Sequence, residues 1–152
     1  MPAPPAHAHH RWAGFDTDRL LYIAGTVSSD GSWGNPHSLF DIRPDPHLPA
    51  RTPSLAIPPQ LQDPEDSTRI LAAPSYKANR TALKIIIAPP AWSGRWGLDR
   101  ALKIGERFQA VGYLSRTDGG LFRPVAFRYG PRAVPVNQAL GNSLPVRAPL
   151  PR

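Results

Sequence analysis

The sequence contains no cysteine and a single methionine. Disulfides, thiol nucleophiles, zinc fingers and iron–sulfur clusters are therefore excluded together. No apolar run approaches the ~20 residues that a membrane-spanning helix needs, so no membrane span is expected. Catalytic signatures are missing too: there is no G-x-S-x-G, P-loop, G-x-G-x-x-G or H-E-x-x-H. Carboxylates are scarce in the second half, where residues 81–152 hold three acidic side chains against 11 basic ones. Residues 1–80 hold eight acidic and seven basic side chains, so the net charge of +7 arises wholly after residue 80.

Proline is abundant, at 20 of 152 residues, about 13% against a usual ~5%. Lacking an N–H, proline is excluded from helix interiors and central strands, so its positions divide the chain. Three proline-free stretches remain, at 6–35, 75–88 and 91–123. Eight prolines fall between Pro44 and Pro74, among Asp, Ser, Thr and Gln, a composition that predicts an extended insertion of polyproline character over 44–80. Five more lie in 131–152, which reads as a C-terminal tail. The chain is long enough for one domain. It divides into a His-rich arm at 1–14, a folded unit at 15–130 that carries the insertion, and the tail.

Strand periodicity fills the proline-free stretches. Leu21, Ile23, Gly25 and Val27 share one face of a strand over 20–28, and Phe40 and Ile42 one face of a strand over 38–43. The run Leu83, Ile85, Ile86, Ile87 is apolar on both faces and predicts a central strand. Residues 106–116 alternate, a turn follows at Asp118-Gly119-Gly120, and 121–129 form a fifth strand that Pro124 demotes to an edge or a bulge. Leu98, Ala101 and Leu102 share a helical face, with Gly105 as its stop, which predicts one short helix between the third and fourth strands. Strand, strand, strand, helix, strand, strand is the order of an OB-like fold. The chain is therefore read as mainly β, a small five-stranded OB-like Greek-key barrel with the insertion between strands 2 and 3. Gly25 and Gly112 interrupt bulky strands, as barrel corners require. The competing reading is an open antiparallel meander.

Five histidines occur, three of them in Ala6-His7-Ala8-His9-His10 and a fourth at the end of Trp33-Gly34-Asn35-Pro36-His37. Imidazole is the commonest side-chain ligand for zinc and copper. His9, His10 and His37, with Asp16 as an oxygen ligand, are thus candidate metal ligands for copper or zinc. The bland alternative is a solvated tail and a turn histidine.

Several pieces together resemble a known family: His9-His10, Phe15-Asp16, Gly25-Thr26-Val27, Trp33-x-Asn35-Pro36-His37, Leu102-Lys103-x-Gly105-Glu106 and Val111-Gly112-Tyr113. They are similar to an exported bacterial domain of unknown function whose mature region opens with Ala-His-His-Ser-Phe and continues with Gly-Thr-Val and Trp-x-Asn-Pro-His. The resemblance covers most of 6–43 and 81–130. It implies a periplasmic or secreted protein with an OB-like barrel, and it implies no activity. Arg11 departs from the family's Ser, and 44–80 replaces a short hairpin.

Four functions follow as expectations. The first is a non-enzymatic binding or accessory module docking on a larger protein partner through its proline-rich arms and barrel rim, with Trp12, Trp33, Asn35, Arg107 and Arg123 as partner-binding residues. The second is the copper or zinc protein just described. Single-stranded nucleic-acid binding needs stacking aromatics beside cations; Phe108 and Tyr113 with Lys84, Arg107, Arg116, Arg123 and Arg128 are the residues that would supply them, although an exported location makes nucleic acid an unlikely partner. For an enzyme no catalytic residue is assigned, since Asp30-Gly31 and Asp118-Gly119 fit turn chemistry better than acid–base work.

Overall fold

The computed structural model describes residues 12–34, 37–59, 61, 63–77, 80–88, 98, 100–131, 134–138 and 144. In chain order the elements are β1 (Leu21–Val27), β2 (Ser32–Trp33), β3 (Ser38–Pro44), a 3-10 turn (Ser54–Ala56), α1 (Pro64–Leu71), β4 (Leu83–Ile87), β5 (Arg107–Leu114), β6 (Leu121–Tyr129) and β7 (Val136–Asn137). β1 pairs antiparallel with both β3 and β5, β3 with β4, and β5 with β6, while β4 runs parallel to β6. Each of these five strands has two neighbours among the five, so the sheet closes on itself, which an open meander does not do; β2 adds to β3 and β7 to β6. The cyclic order β1-β3-β4-β6-β5 is that of an OB-like Greek-key barrel.

The interior is filled by side chains, as expected for so narrow a barrel. Ile23, Phe40, Ile42, Leu83, Ile85 and Phe108 are fully buried. Phe108 sits edge-on to Phe40 at 5.2 Å between centroids and stacks on Phe127 at 5.4 Å. The two mid-strand glycines stand where neighbouring strands come too close for a side chain. Gly25 pairs with Pro44 and Gly112 with Pro124. A Cβ on Gly25 would stand 2.3 Å from the Arg43 carbonyl oxygen, and one on Gly112 would stand 2.2 Å from that of Arg123. The register shifts beside Gly112, where Val111 faces Ala126 and Gly112 faces Pro124, leaving Val125 as a bulge. On the other edge of β6, β4 pairs at Leu121 and Phe122 and β7 at Ala126 and Phe127. Pro124 falls between these two short ladders, where its missing N–H costs no strand bond.

The insertion is more structured than its composition suggests. Asp63 accepts a hydrogen bond from the Glu65 N–H, Pro64 occupies the first helical position and Ile70 is fully buried. Proline starts this helix instead of preventing it. Ala56, Leu61 and Ile70 form a second apolar cluster with Val111, Tyr113 and Val125, which project outward from β5 and β6. The insertion therefore lies as a layer over the β5–β6 face of the barrel.

The expected place of the helix changes. Leu98 and Leu102 are buried in the barrel core, but residues 100–105 form no helix; the Lys103 N–H and the Arg100 guanidinium both bond the Glu106 carboxylate, and Gly105 has φ +94° in a turn. Other residues of that region, 91–97 and 99, lie outside the described ones, Trp92 and Trp96 among them. Where it is described, the C-terminal tail packs on the barrel. β7 joins the sheet with Val136 fully buried, and the Gln138 side chain accepts a hydrogen bond from the Ala88 N–H at the end of β4. Leu144 is buried as well, and its N–H donates to the fully buried Asp66 carboxylate of α1 at 3.2 Å.

Candidate binding groove

Where β3 ends at Pro44, the chain turns out along 45–50, and it returns along 74–77 before entering β4. The two segments are tied together: the Ser75 hydroxyl donates to the Pro49 carbonyl, and the Thr52 hydroxyl donates to the Ala73 carbonyl at 3.1 Å. Between them runs a groove of about 930 Å³ at one mouth of the barrel, walled by Arg43, His47, Leu48, Lys77 and Arg80 among others. Tyr76 forms part of it and also belongs to the barrel core, with 6% of its surface exposed. A smaller recess of about 420 Å³ lies beside the same 74–77 segment and is lined by Asp16, Arg19 and Leu114.

The charges in the groove are unbalanced. Asp45 lines it, but both of its carboxylate oxygens are held by the Arg107 guanidinium, at 2.8 and 2.5 Å. That bond holds the Asp45 carboxyl below the usual carboxylate range and pushes Arg107 up. Arg43, Lys77 and Arg80 are exposed, and none makes an ion pair with a described residue. Arg80 lies across the β5–β6 turn, where a Cβ on Gly120 would meet its guanidinium at 2.9 Å. The Tyr76 hydroxyl is buried with no hydrogen-bond partner among the described residues. Burial raises its pKa, and the charge of Arg80 opposes that shift, so the two groups lie within electrostatic reach.

The residues expected to bind a partner are differently placed. Trp12 is half-buried on the β5–β6 side, edge-on to Tyr113 at 5.7 Å, with the Arg123 guanidinium 4.1 Å above its ring. Burial lowers the Arg123 pKa to about 10. Trp33 stacks on Phe40 at 5.3 Å and donates its indole N–H to the Asp30 carbonyl. Arg107 is occupied by Asp45, as described, and Asn35 lies outside the described residues. Phe108 and Tyr113 are both buried, so these two rings present no face on which a nucleic-acid base could stack.

Of the expected metal ligands, His9 and His10 lie outside the described residues. The structure does not bring Asp16 and His37 together. The Asp16 N–H bonds the Leu114 carbonyl at the end of β5, whereas His37 precedes Ser38, which pairs with Ile87 at the far end of β4. The barrel height separates them, and among the described residues no three His, Asp or Glu side chains form a metal-binding group. The carboxylates read as turn residues behave as such: Asp118 accepts from the Gly120 N–H at 2.8 Å, and Gly31 has φ +75°.

Fold and site together define a small OB-like barrel with a basic groove formed by its own insertion. No family model, curated protein or solved structure matches the chain. The groove was not legible in the sequence because residues 1–80 are nearly neutral by count. In the fold, Lys84 and Arg107 from the basic half pair with Asp41 and Asp45 from the first half, and this leaves the first-half cations Arg43, Lys77 and Arg80 unneutralised.

Proposed function

We propose that the protein is a non-catalytic binding module, exported from the cytoplasm, that docks on a larger partner through the groove between the insertion and the barrel. The observation that carries this reading is the trio Arg43, Lys77 and Arg80, exposed around one groove and lacking ionic partners among the described residues. Three like charges held together cost stability through self-repulsion, and a ligand of opposite charge offsets that cost. The filled barrel supports the same reading, since its packed interior leaves the surface as the place where a ligand is taken. Of the proline-rich arms and barrel rim expected to dock, this reading places the contact at the rim that the insertion builds. The exported location follows from the resemblance of its motifs.

The test is co-purification from the native source with the wild-type chain and with an Arg43→Ala/Arg80→Ala double variant of equal melting temperature. A partner retained by the wild type and lost by the double variant is the expected result. Equal retention would move the docking surface away from the groove.

A further inference from the structure

We infer that the groove's occupant is an extended, carboxylate-bearing peptide segment of the partner; this rests on the binding-module reading above. Charge complementarity selects an anion, because the groove's own carboxylate, Asp45, is already consumed by Arg107 and does not compete. Arg43 stands on one wall at the end of β3, and Lys77 and Arg80 follow the returning segment on the other, so anionic groups are met from both sides.

A peptide is favoured over a single-stranded nucleic acid because the aliphatic part of the groove consists of Pro44, Pro46, Leu48, Pro49, Ala50 and Pro74. These side chains suit aliphatic contact, and the groove's aromatic residue, Tyr76, is buried and presents no face for base stacking. Arg80 is also placed, not merely present: its guanidinium lies against the bare Gly119-Gly120 turn, where a Cβ at either position would approach within 3.3 Å. Gly120→Ala therefore displaces the guanidinium without changing the charge.

The experiment measures binding of a fluorescein-labelled decapeptide of alternating Glu and Val by anisotropy at about 0.1 M salt. Its Gln-for-Glu counterpart, a labelled thymidine decanucleotide and inorganic phosphate as competitor run in parallel. The Glu peptide is expected to bind and the Gln peptide not to. Arg43→Ala and Arg80→Ala should each weaken binding about tenfold, as loss of one charge-assisted hydrogen bond does. Gly120→Ala should weaken it measurably at unchanged net charge. Lys103→Ala, which removes an exposed charge from the opposite end of the barrel, should change affinity less than about twofold. Equal losses for Lys103→Ala and Arg80→Ala would reduce the binding to general polyelectrolyte attraction and overturn the inference. Tighter, groove-dependent binding of the oligonucleotide would also overturn it, as would full displacement by millimolar phosphate. If the Glu peptide fails while the co-purified partner still depends on Arg43 and Arg80, the peptide chemistry falls and the binding-module reading stands.

Discussion

Over β5 and β6 the outward side chains Val111, Tyr113 and Val125 lie buried beneath Ala56, Leu61 and Ile70 of the insertion. Over β3 and β4 the outward Arg43 and Lys84 are exposed, and Leu39, Asp41 and Ile86 are half-buried. The insertion leaves and re-enters the barrel between β3 and β4, yet it folds over the other face. Outward residue type accounts for the choice: covering Val111, Tyr113 and Val125 removes apolar surface from water, whereas covering Arg43 and Lys84 would strip charges of solvent. An insertion rich in proline has little conformational entropy to lose and follows that preference at low cost. The β3–β4 face, where OB-like barrels commonly take ligands, thereby keeps its basic edge.

The contrast is broken most severely by removing what clamps the covered layer. Deleting 134–152 takes away the fully buried Val136, the β7 ladder, the Gln138 bond to β4 and the buried Leu144. Two buried aliphatic side chains at ~1.5–3 kcal/mol each predict a loss of at least ~3 kcal/mol. In a chain of this size that loss lowers the melting temperature by roughly 10 °C. Asp66→Ala should reproduce a large part of the effect, because it removes the acceptor for the Leu144 N–H and breaks the ion pair with Arg69, which is only slightly exposed. An unchanged melting temperature for the deletion, measured by calorimetry, would make the segment a true appendage and sink the two-layer description.

What the sequence made legible follows the same division. The barrel strands could be read because apolar side chains alternate at period two in β1, β3 and β5 and occupy both faces of β4, and the corners because Gly25 and Gly112 interrupt β1 and β5. The layer could not be read so well, since its prolines sit at element starts: Pro64 opens α1 behind the Asp63 cap, a signal that overall proline content masks. Leu98 and Leu102 are spaced for one helical face and both are buried, yet 100–105 form no helix; spacing of four residues also serves an irregular segment organised by Glu106. The groove's charge was hidden for a different reason. Whether Arg43, Lys77 and Arg80 are free depends on Lys84 and Arg107 taking Asp41 and Asp45, and no local pattern encodes those pairings.

A gentler perturbation acts on a corner of the barrel. Gly112→Ala places a methyl 2.2 Å from the Arg123 carbonyl and 2.6 Å from the Pro124 Cα, both backbone atoms that cannot swing away. Overpacking of this kind costs ~1–3 kcal/mol. Gly34→Ala, where nothing lies within 4 Å, is the control and should leave the denaturation midpoint in place. Equal effects at both positions would mean that close strand approach is not what requires glycine at 112.

The smallest effect separates the pairing of Asp45 from the groove's openness. Its carboxyl is held below the ordinary range by the Arg107 guanidinium, so the folded state binds its proton less readily than the unfolded chain does. The resulting stabilisation is fully present above the unfolded pKa of about 3.9 and is lost as pH falls through the lower folded value. Because the pair is partly exposed, its worth is below ~1 kcal/mol. Asp45→Asn should therefore lower the melting temperature slightly at neutral pH, and wild type and variant should converge in strong acid. The same substitution releases Arg107 beside the groove, so it should tighten, not weaken, binding of the Glu peptide. A variant that loses stability but gains no affinity would show that Arg107 is turned away from the groove, and the groove's charge would then rest on Arg43, Lys77 and Arg80 alone.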